Sequence, residues 1–251
     1  YVDVKDKPPF TLGYDWFGLI DKVGSAVSGL SEGQYVADMP VIGGYTEYLC
    51  VDAGQVIPAP EGLDPAEAVS MILSYTTAWQ MLKRVRDFKA GDKALVHAAG
   101  GAVGTALLEL CRHKGLTVYA TASSSKKQLV ESYGAIHIDY RSDDFVERCL
   151  QLSESGVDVV FDTIGGKNWS RSYQCLKRGG ILIAFGALQM TTGEEKLPSL
   201  LWGFAKLMGL WKLLPDGKDS MFYNIQKRRE KQPEEFKEDV TELFELLKQH
   251  K

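Results

Sequence analysis

The sequence is short of the residues from which metal centres and disulfide frameworks are built. Its 251 residues include four histidines and four cysteines. Cys50, Cys111, Cys149 and Cys175 lie far apart and form no C-x-x-C pair. No ligand set has the spacing of a structural or catalytic zinc site, so no metal is expected. Scattered cysteines fit reduced thiols in a cytosolic protein. Cys111 and Cys149, at apolar positions of predicted helices, read as core residues, because a free cysteine behaves as a small hydrophobe. Positive charge is not in excess either. The formal net charge is −4, which gives no broad attraction for phosphate backbones; no nucleic-acid partner is expected, and any phosphate site has to be local. Internal repeats and low-complexity tracts are missing. The most apolar stretch, Leu197 to Leu214, contains Lys206 and Lys212 and falls short of the ~20 apolar residues of a membrane span.

What is present is ordinary in bulk and patterned in detail. The 45% hydrophobic and 25% charged residues are near globular averages, in a length that allows one large or two modest domains. The chain opens on Tyr1 and reads from the middle of a domain, so a fragment is expected. From Trp16 to about Asp52, short β-type runs such as Gln34 to Ala37 and Tyr45 to Val51 are separated by Gly and Ser turns. The stretch PAPEGLD, Pro58 to Asp64, ends that pattern, and Asp64-Pro65-Ala66-Glu67 predicts a helix start with Pro at its first position. This places a small, mostly β domain at 1–63 and a second domain at 64–251.

After Gly91, strands alternate with helices: Lys93–His97 then Ala102–Arg112, Leu116–Thr121 then Lys126–Tyr133, Ile136–Asp139 then Asp143–Leu152, followed by strands Val157–Phe161 and Ile181–Phe185. Val103, Ala106, Leu107, Leu110 and Cys111 follow the helical period, whereas Val157, Val159, Val160 and Phe161 form a nearly continuous apolar run. Buried strands alternating with helices predict an α/β fold with a doubly wound parallel sheet. Phe236, Val240, Leu243, Phe244 and Leu247 share one face of a closing amphipathic helix, expected to pack on that sheet.

Strand Lys93–His97 runs straight into Ala98-Ala99-Gly100-Gly101-Ala102-Val103-Gly104 and then into a helix. Small residues there let the backbone approach a pyrophosphate at the helix N-terminus, where unpaired N–H groups and the helix dipole favour negative charge. Gly104 permits close packing of helix on strand. Ala99 stands where a G-x-G-x-x-G fingerprint has its first glycine, and glycine-rich turns also occur without ligands; the flanking strand and helix give the motif its meaning as a Rossmann dinucleotide site. NAD enzymes place an acid at the end of the second strand for the ribose 2′-OH, but no acid occurs between Cys111 and Val130. The strand ends instead in Thr121-Ala122-Ser123-Ser124-Ser125-Lys126-Lys127. These hydroxyls and cations suit a 2′-phosphate, hence NADP(H); the alternative is a solvated helix start.

Several motifs occur together in one order: Gly13-Tyr14-Asp15-x-x-Gly18 followed by Val23-Gly24, Gly43-Gly44-Tyr45-Thr46-Glu47-Tyr48, Thr77-Ala78-Trp79, and His97-Ala98-Ala99-Gly100-Gly101-Ala102-Val103-Gly104. On these the chain resembles the zeta-crystallin-type quinone oxidoreductases, a zinc-free branch of the medium-chain dehydrogenase/reductase superfamily, from roughly Pro9 to Leu188. The resemblance implies a Rossmann domain with part of a smaller, mostly β GroES-like domain. It places Thr77 near the nicotinamide, Lys126 and Tyr140 on the 2′-phosphate, and the loops around Ile164-Gly165-Gly166 and Phe185-Gly186-Ala187 along the cofactor. Tyr140 also reads as an ordinary amphipathic surface tyrosine. Tyr1 falls close to a tyrosine lining the family's active site and is the one catalytic candidate. Tyr14 stands where zinc-dependent relatives carry His. Family members have further strands ahead of Tyr1 and return to the first domain after about Lys251, so an incomplete substrate pocket is expected.

The implied activity is NADPH-dependent transfer of hydride to quinones or α,β-unsaturated carbonyls, small hydrophobic acceptors that need no metal because they are already activated. An enoyl-thioester reductase is the neighbouring alternative, with Lys83, Arg84 and Arg86 as a basic entry or simply a solvated helix face. A cofactor-binding structural or regulatory protein is the non-enzymatic one. The segment Leu197 to Leu214 reads as a wall of the substrate or dimer surface, a core helix, or an interfacial anchor. A cytoplasmic homodimer is the default expectation.

Overall fold

The computed structural model describes residues 7–193 and 196–249. They fall into two compact units, 7–77 with 225–249, and 78–193 with 196–224.

In the first unit, β1 (Trp16–Leu19), β2 (Tyr35–Asp38) and β3 (Ile57–Pro58) form a small antiparallel sheet in that order. Phe17 lies opposite Ala37, and Ala37 opposite Ile57. The run from Tyr45 to Val51, expected as a strand, is not one. Its start is tied at Gly44 N–H to the Gly13 carbonyl (3.1 Å) and Tyr45 N–H to the Leu12 carbonyl (2.8 Å), and then Thr46 N–H turns back onto Gly44 (3.0 Å). A strand needs a continuous ladder, and here the bonding to residues 11–13 stops at Tyr45, leaving Tyr45 and Tyr48 exposed.

Helix α1 (Pro65–Ser70) begins where the sequence predicts. Asp64 Oδ1 accepts from Ala66 N–H at 2.9 Å and Glu67 N–H at 3.0 Å, with Pro65 opening the helix. The backbone stays helical through a wide π-type turn (Met71–Tyr75), α2 (Thr76–Gln80) and a second such turn (Met81–Val85).

The second unit is the doubly wound layer. Its elements are β4 (Lys93–Val96), α3 (Ala102–His113), β5 (Thr117–Ala122), α4 (Lys127–Ser132), β6 (Ile136–Asp139), α5 (Phe145–Ser153), β7 (Val157–Asp162), α6 (Lys167–Gln174), β8 (Leu176–Ala184), α7 (Leu188–Thr191), α8 (Leu197–Met208) and β9 (Asp219–Phe222). The six strands are all parallel in the order β6-β5-β4-β7-β8-β9. Val157, Val159, Val160 and Phe161 are fully buried, as a strand covered on both faces requires. Ala106, Leu107, Leu110 and Cys111 turn the core-facing side of α3 inward. Cys149 is buried on α5. Strand β9 was not expected, since four residues without alternation carry no period; pairing with β8 makes it a strand.

The closing helices α9 (Ile225–Lys231) and α10 (Pro233–Lys248) depart from expectation in their partner. Phe236, Val240, Leu243 and Phe244 of α10 are buried, but within the first unit. There the Phe244 ring meets Phe17 edge-on at 5.9 Å, and Arg229 of α9 pairs with buried Asp38 and donates to the Met39 carbonyl at 2.7 Å. An apolar stripe shows that a helix buries one face and does not name the surface it meets. For the same reason the compact units differ from a division at residue 63, which separates stretches of different sequence pattern.

Candidate functional site: the crevice at the carboxyl ends of β4 and β7

The strand order reverses between β4 and β7, and in open parallel sheets the crevice outside the carboxyl ends of the strands at such a point is where ligands bind. The sequence brings its small residues there. Ala98 takes a positive φ of 51°, Ala99 N–H donates to the Thr121 carbonyl (3.1 Å) and Gly101 N–H to that of Ala98 (3.0 Å). Gly101 precedes α3 with no side-chain cap, so the first-turn N–H groups of Ala102, Val103 and Gly104 are offered by the helix end rather than consumed by it. A Cβ on Gly104 would press on the Ala98 carbonyl and stand 2.8 Å from Ala99 Cα. Helix α3 therefore approaches the turn as closely as only glycine allows. A Cβ on Gly100 would stand 3.1 Å from Lys126 Cγ, so the aliphatic stem of Lys126 lies across the glycine-rich turn.

Lys126 ends a 3₁₀ turn, Ser124–Lys126, whose preceding residue is half-buried Ser123. Ser123 Oγ and Ser125 Oγ are 3.0 Å apart. Ala122 pairs with Asp139 across β5 and β6, which sets Ser123 and Tyr140 at neighbouring strand ends. Tyr140 is 52% exposed, and the Arg141 guanidinium sits 5.8 Å from its ring centroid. Arg141, a second cation at this edge, was missed by sequence reasoning, although its place beside Tyr140 was legible.

The other lip follows β7 and β8. Gly165 (φ 97°) and Gly166 (φ 53°) turn the chain, and a Cβ on Gly165 would stand 2.7 Å from Ala187 Cα. Leu188 and Gln189 N–H donate to the Thr163 and Ile164 carbonyls at 3.0 Å each, and Phe185 N–H to that of Asp162 at 3.0 Å. A Cβ on Gly186 would press on Thr163 Oγ1 and stand 3.3 Å from Thr163 Cα. The two loops are thus one packed rim, with Phe185 and Gly186 half-buried on it.

Beneath the rim lies a polar network that sequence reasoning also missed. The buried Asp162 carboxylate accepts from Ile164 N–H (2.8 Å), Gly165 N–H (3.3 Å), Asn168 Nδ2 (2.9 Å) and Ser172 Oγ (2.6 Å). Ser172 Oγ is 3.0 Å from His97 Nε2, and His97 Nδ1 is 2.9 Å from Thr121 Oγ1. Burial holds the His97 imidazole below the usual histidine range, against the opposing charge of Asp162. The signal was an acid closing an apolar strand just before Gly165-Gly166.

Thr77 is buried in the first unit, and Tyr1 lies outside the described residues. Among the described residues, no group of three or more His, Cys, Asp and Glu side chains could hold a metal ion. Burial pushes the Cys111 thiol up to about 12, the behaviour of an inert core cysteine. Of the expected basic entry, Arg86 is engaged with the Gly179 carbonyl (2.7 Å) and Lys83 stands 5.3 Å from the Trp79 ring centroid.

Two family models match the sequence, one described as alcohol dehydrogenase GroES-like domain over residues 2–61 and one as zinc-binding dehydrogenase over residues 102–218. The synaptic vesicle membrane protein VAT-1 homologue of Danio rerio is 36% identical over 191 residues, 75% of this chain and 40% of that protein. The 2-haloacrylate reductase of a Burkholderia species is 31% identical over 189 residues, 73% of this chain and 57% of that protein. The chain spans about half the length of the curated relatives it matches. Among solved structures, Escherichia coli quinone oxidoreductase complexed with NADPH aligns with a TM-score of 0.82 at 26% identity, covering 98% of this chain and 72% of that one.

Proposed function

Because this chain belongs to the medium-chain dehydrogenase/reductase superfamily, we propose that it holds NADP(H) at the glycine-rich turn and passes hydride to quinones or α,β-unsaturated carbonyls without a metal. The observation that carries the reading is the Lys126 stem lying across Gly100 beside the uncapped N-terminus of α3. A cation next to exposed helix N–H groups suits a ligand bearing several phosphates. The NADPH held by the quinone oxidoreductase of similar fold supports the same choice.

The cradle passes a test of fit. Gly104 and Gly100 leave the backbone bare where a Cβ would crowd it, and the helix end has no side chain of its own to satisfy it. The nicotinamide, when bound, supplies the hydride. The chain would do the rest. Backbone N–H groups of Ala102, Val103 and Gly104 hold the pyrophosphate, with Ala99, Gly100 and Gly101 letting it approach. Ser123, Lys126 and Tyr140 hold the 2′-phosphate, and Gly165, Phe185 and Gly186 border the rest of the dinucleotide. For Thr77 and Tyr1 the proposal rests on the resemblance alone. An acceptor that is already electron-poor needs positioning and exclusion of water more than a Lewis acid, which fits Tyr14 standing where zinc-dependent relatives carry His.

Titration with NADPH and NADH, followed by nicotinamide fluorescence, tests the reading. NADPH is expected to bind more tightly, and Lys126→Ala to weaken NADPH alone by about tenfold, the worth of one charge-assisted contact. Equal affinity for the two nucleotides would remove the role given to Ser123 and Lys126.

The reading extends to a hydrophobic acceptor and a homodimer, supported by the apolar surface of α8 and the 3₁₀ turn Leu210–Leu213, where Leu197, Leu201, Trp202, Met208 and Leu213 are exposed. Trp211 does not belong to that surface. It is buried and stacked on Tyr173 at 4.5 Å. Trp202→Ala is accordingly expected to change stability by no more than about 0.5 kcal/mol while lowering turnover of hydrophobic acceptors; unchanged turnover would count against the wall.

A second reading, a cofactor-binding structural or regulatory protein, is favoured by the relatives named as synaptic vesicle membrane proteins. No helix among the described residues is long and apolar enough to cross a membrane. NADPH binding without turnover of any quinone or enone would favour this second reading.

A further inference from the structure

Asp162 ends β7, Ser172 lies on α6 and His97 follows β4, and hydrogen counting fixes how they are joined. A carboxylate only accepts, and a serine hydroxyl has one hydrogen. At 2.6 Å from Asp162 Oδ2, Ser172 spends that hydrogen on the carboxylate. Its 3.0 Å contact with His97 Nε2 then requires the imidazole to donate, so Nε2 carries the proton. With burial keeping the ring neutral, Nδ1 is bare and accepts from the Thr121 hydroxyl at 2.9 Å. The order is therefore Thr121 to His97 to Ser172 to Asp162, every hydrogen bond running toward the carboxylate. This arrangement is unlike a nucleophilic triad, in which the serine would give its proton to the imidazole.

Two members of this chain of bonds, Asp162 and His97, stand at the two lips of the crevice. Asp162 Oδ1 gathers the N–H groups of Ile164 and Gly165 and shapes the β7 lip. His97 immediately precedes Ala98, whose positive φ starts the glycine-rich lip. Ser172, on α6, belongs to neither lip and is bonded to both halves.

We propose that Ser172 is a positioning residue for the dinucleotide: its hydroxyl couples the Asp162-held turn at Gly165 to the ring of His97, the residue before the turn at Ala98, and together with the backbone bond from His97 N–H to the Phe161 carbonyl (3.0 Å) sets the spacing of the two lips. The proposal rests on the cofactor reading above. Asn168 assists it, donating to Asp162 Oδ2 at 2.9 Å.

The test compares wild type, Ser172→Ala, Ser172→Thr and Asn168→Ala in the full chain, each checked for folding by circular dichroism. Nitrogen NMR of histidine-labelled protein reads the network without any cofactor, and an NADPH titration reads its consequence. The wild type is expected to show His97 as the neutral Nε2–H tautomer. In Ser172→Ala that signal shifts and NADPH binds about tenfold more weakly, whereas Ser172→Thr, which keeps the hydroxyl, stays within about threefold. Asn168→Ala, at a half-buried position, moves in the same direction if Ser172→Ala does not fold. A shifted His97 signal with unchanged NADPH affinity would overturn the proposal and leave the cofactor reading standing. Failure of the wild type itself to bind a dinucleotide would overturn both, and it is seen before any substitution is made.

Discussion

Asp162→Ala is expected to lower stability by about 3–5 kcal/mol, because the buried donors it serves would be left without an acceptor at about 1–3 kcal/mol each, partly relieved by water. The carboxylate is fully buried and receives two backbone N–H groups, one amide and one hydroxyl. Two of these donors have another polar partner within reach, Asn168 Nδ2 at 3.4 Å from Ser172 Oγ and the Ser172 hydroxyl at 3.0 Å from His97 Nε2, which accepts if the imidazole changes tautomer; the two backbone N–H groups gain no such relief. The loss is to be read by thermal unfolding, where a unit of this size shifts by roughly 2–4 °C per kcal/mol. Asp162→Asn separates two parts of the effect. It keeps one accepting oxygen for Ile164 and Gly165 and presents an NH₂ group to Asn168 and Ser172, so it should retain the turn, lose the bond from the Asn168 amide and reverse the one with the Ser172 hydroxyl. A shift below about 1 kcal/mol for the alanine variant would mean that the network is dispensable.

Gly104→Val is expected to reduce dinucleotide affinity by about a hundredfold or more, since withdrawing the helix N-terminus removes two or more charge-assisted hydrogen bonds to phosphate at about tenfold each. The physical cause is the absence of room. The added Cβ meets backbone, the Ala98 carbonyl and Ala99 Cα, and backbone in a strand-to-helix turn cannot rotate aside as the tip of a side chain can. Helix α3 has to withdraw from the turn, which removes its N–H groups from the crevice and costs about 1–3 kcal/mol of packing. Isothermal titration with NADPH and thermal unfolding on the same variant report the two parts. Affinity within about threefold of wild type would show that the α3 N-terminus is not the phosphate site.

The parts of this protein legible from its sequence are those that depend on neighbours in the chain. The period of Val103, Ala106, Leu107, Leu110 and Cys111 predicts α3, and all of these but half-buried Val103 lie on its buried face. The apolar run at Val157 to Phe161 predicts a strand covered on both sides. Asp64-Pro65 predicts the start of α1, because capping is settled within three residues. The glycine-rich turn belongs to the same group, being short, local and flanked by the strand and helix that give it meaning.

What only the tertiary structure decided involves partners far apart in sequence. Four residues at Asp219–Phe222 become a strand through β8. The run from Tyr45 to Val51 fails to become one because its ladder ends at Leu12 and Gly13. The stripe on α10 predicts burial, yet its partners, Phe17 among them, lie at the other end of the chain. The hydrogen bond joining His97 to Ser172 spans 75 residues, and neither residue is unusual in its own surroundings. Periodicity and capping are properties of a segment, whereas a buried donor's acceptor is chosen by whichever element the fold brings within 3 Å. That choice turned a helix serine into the link between two loops.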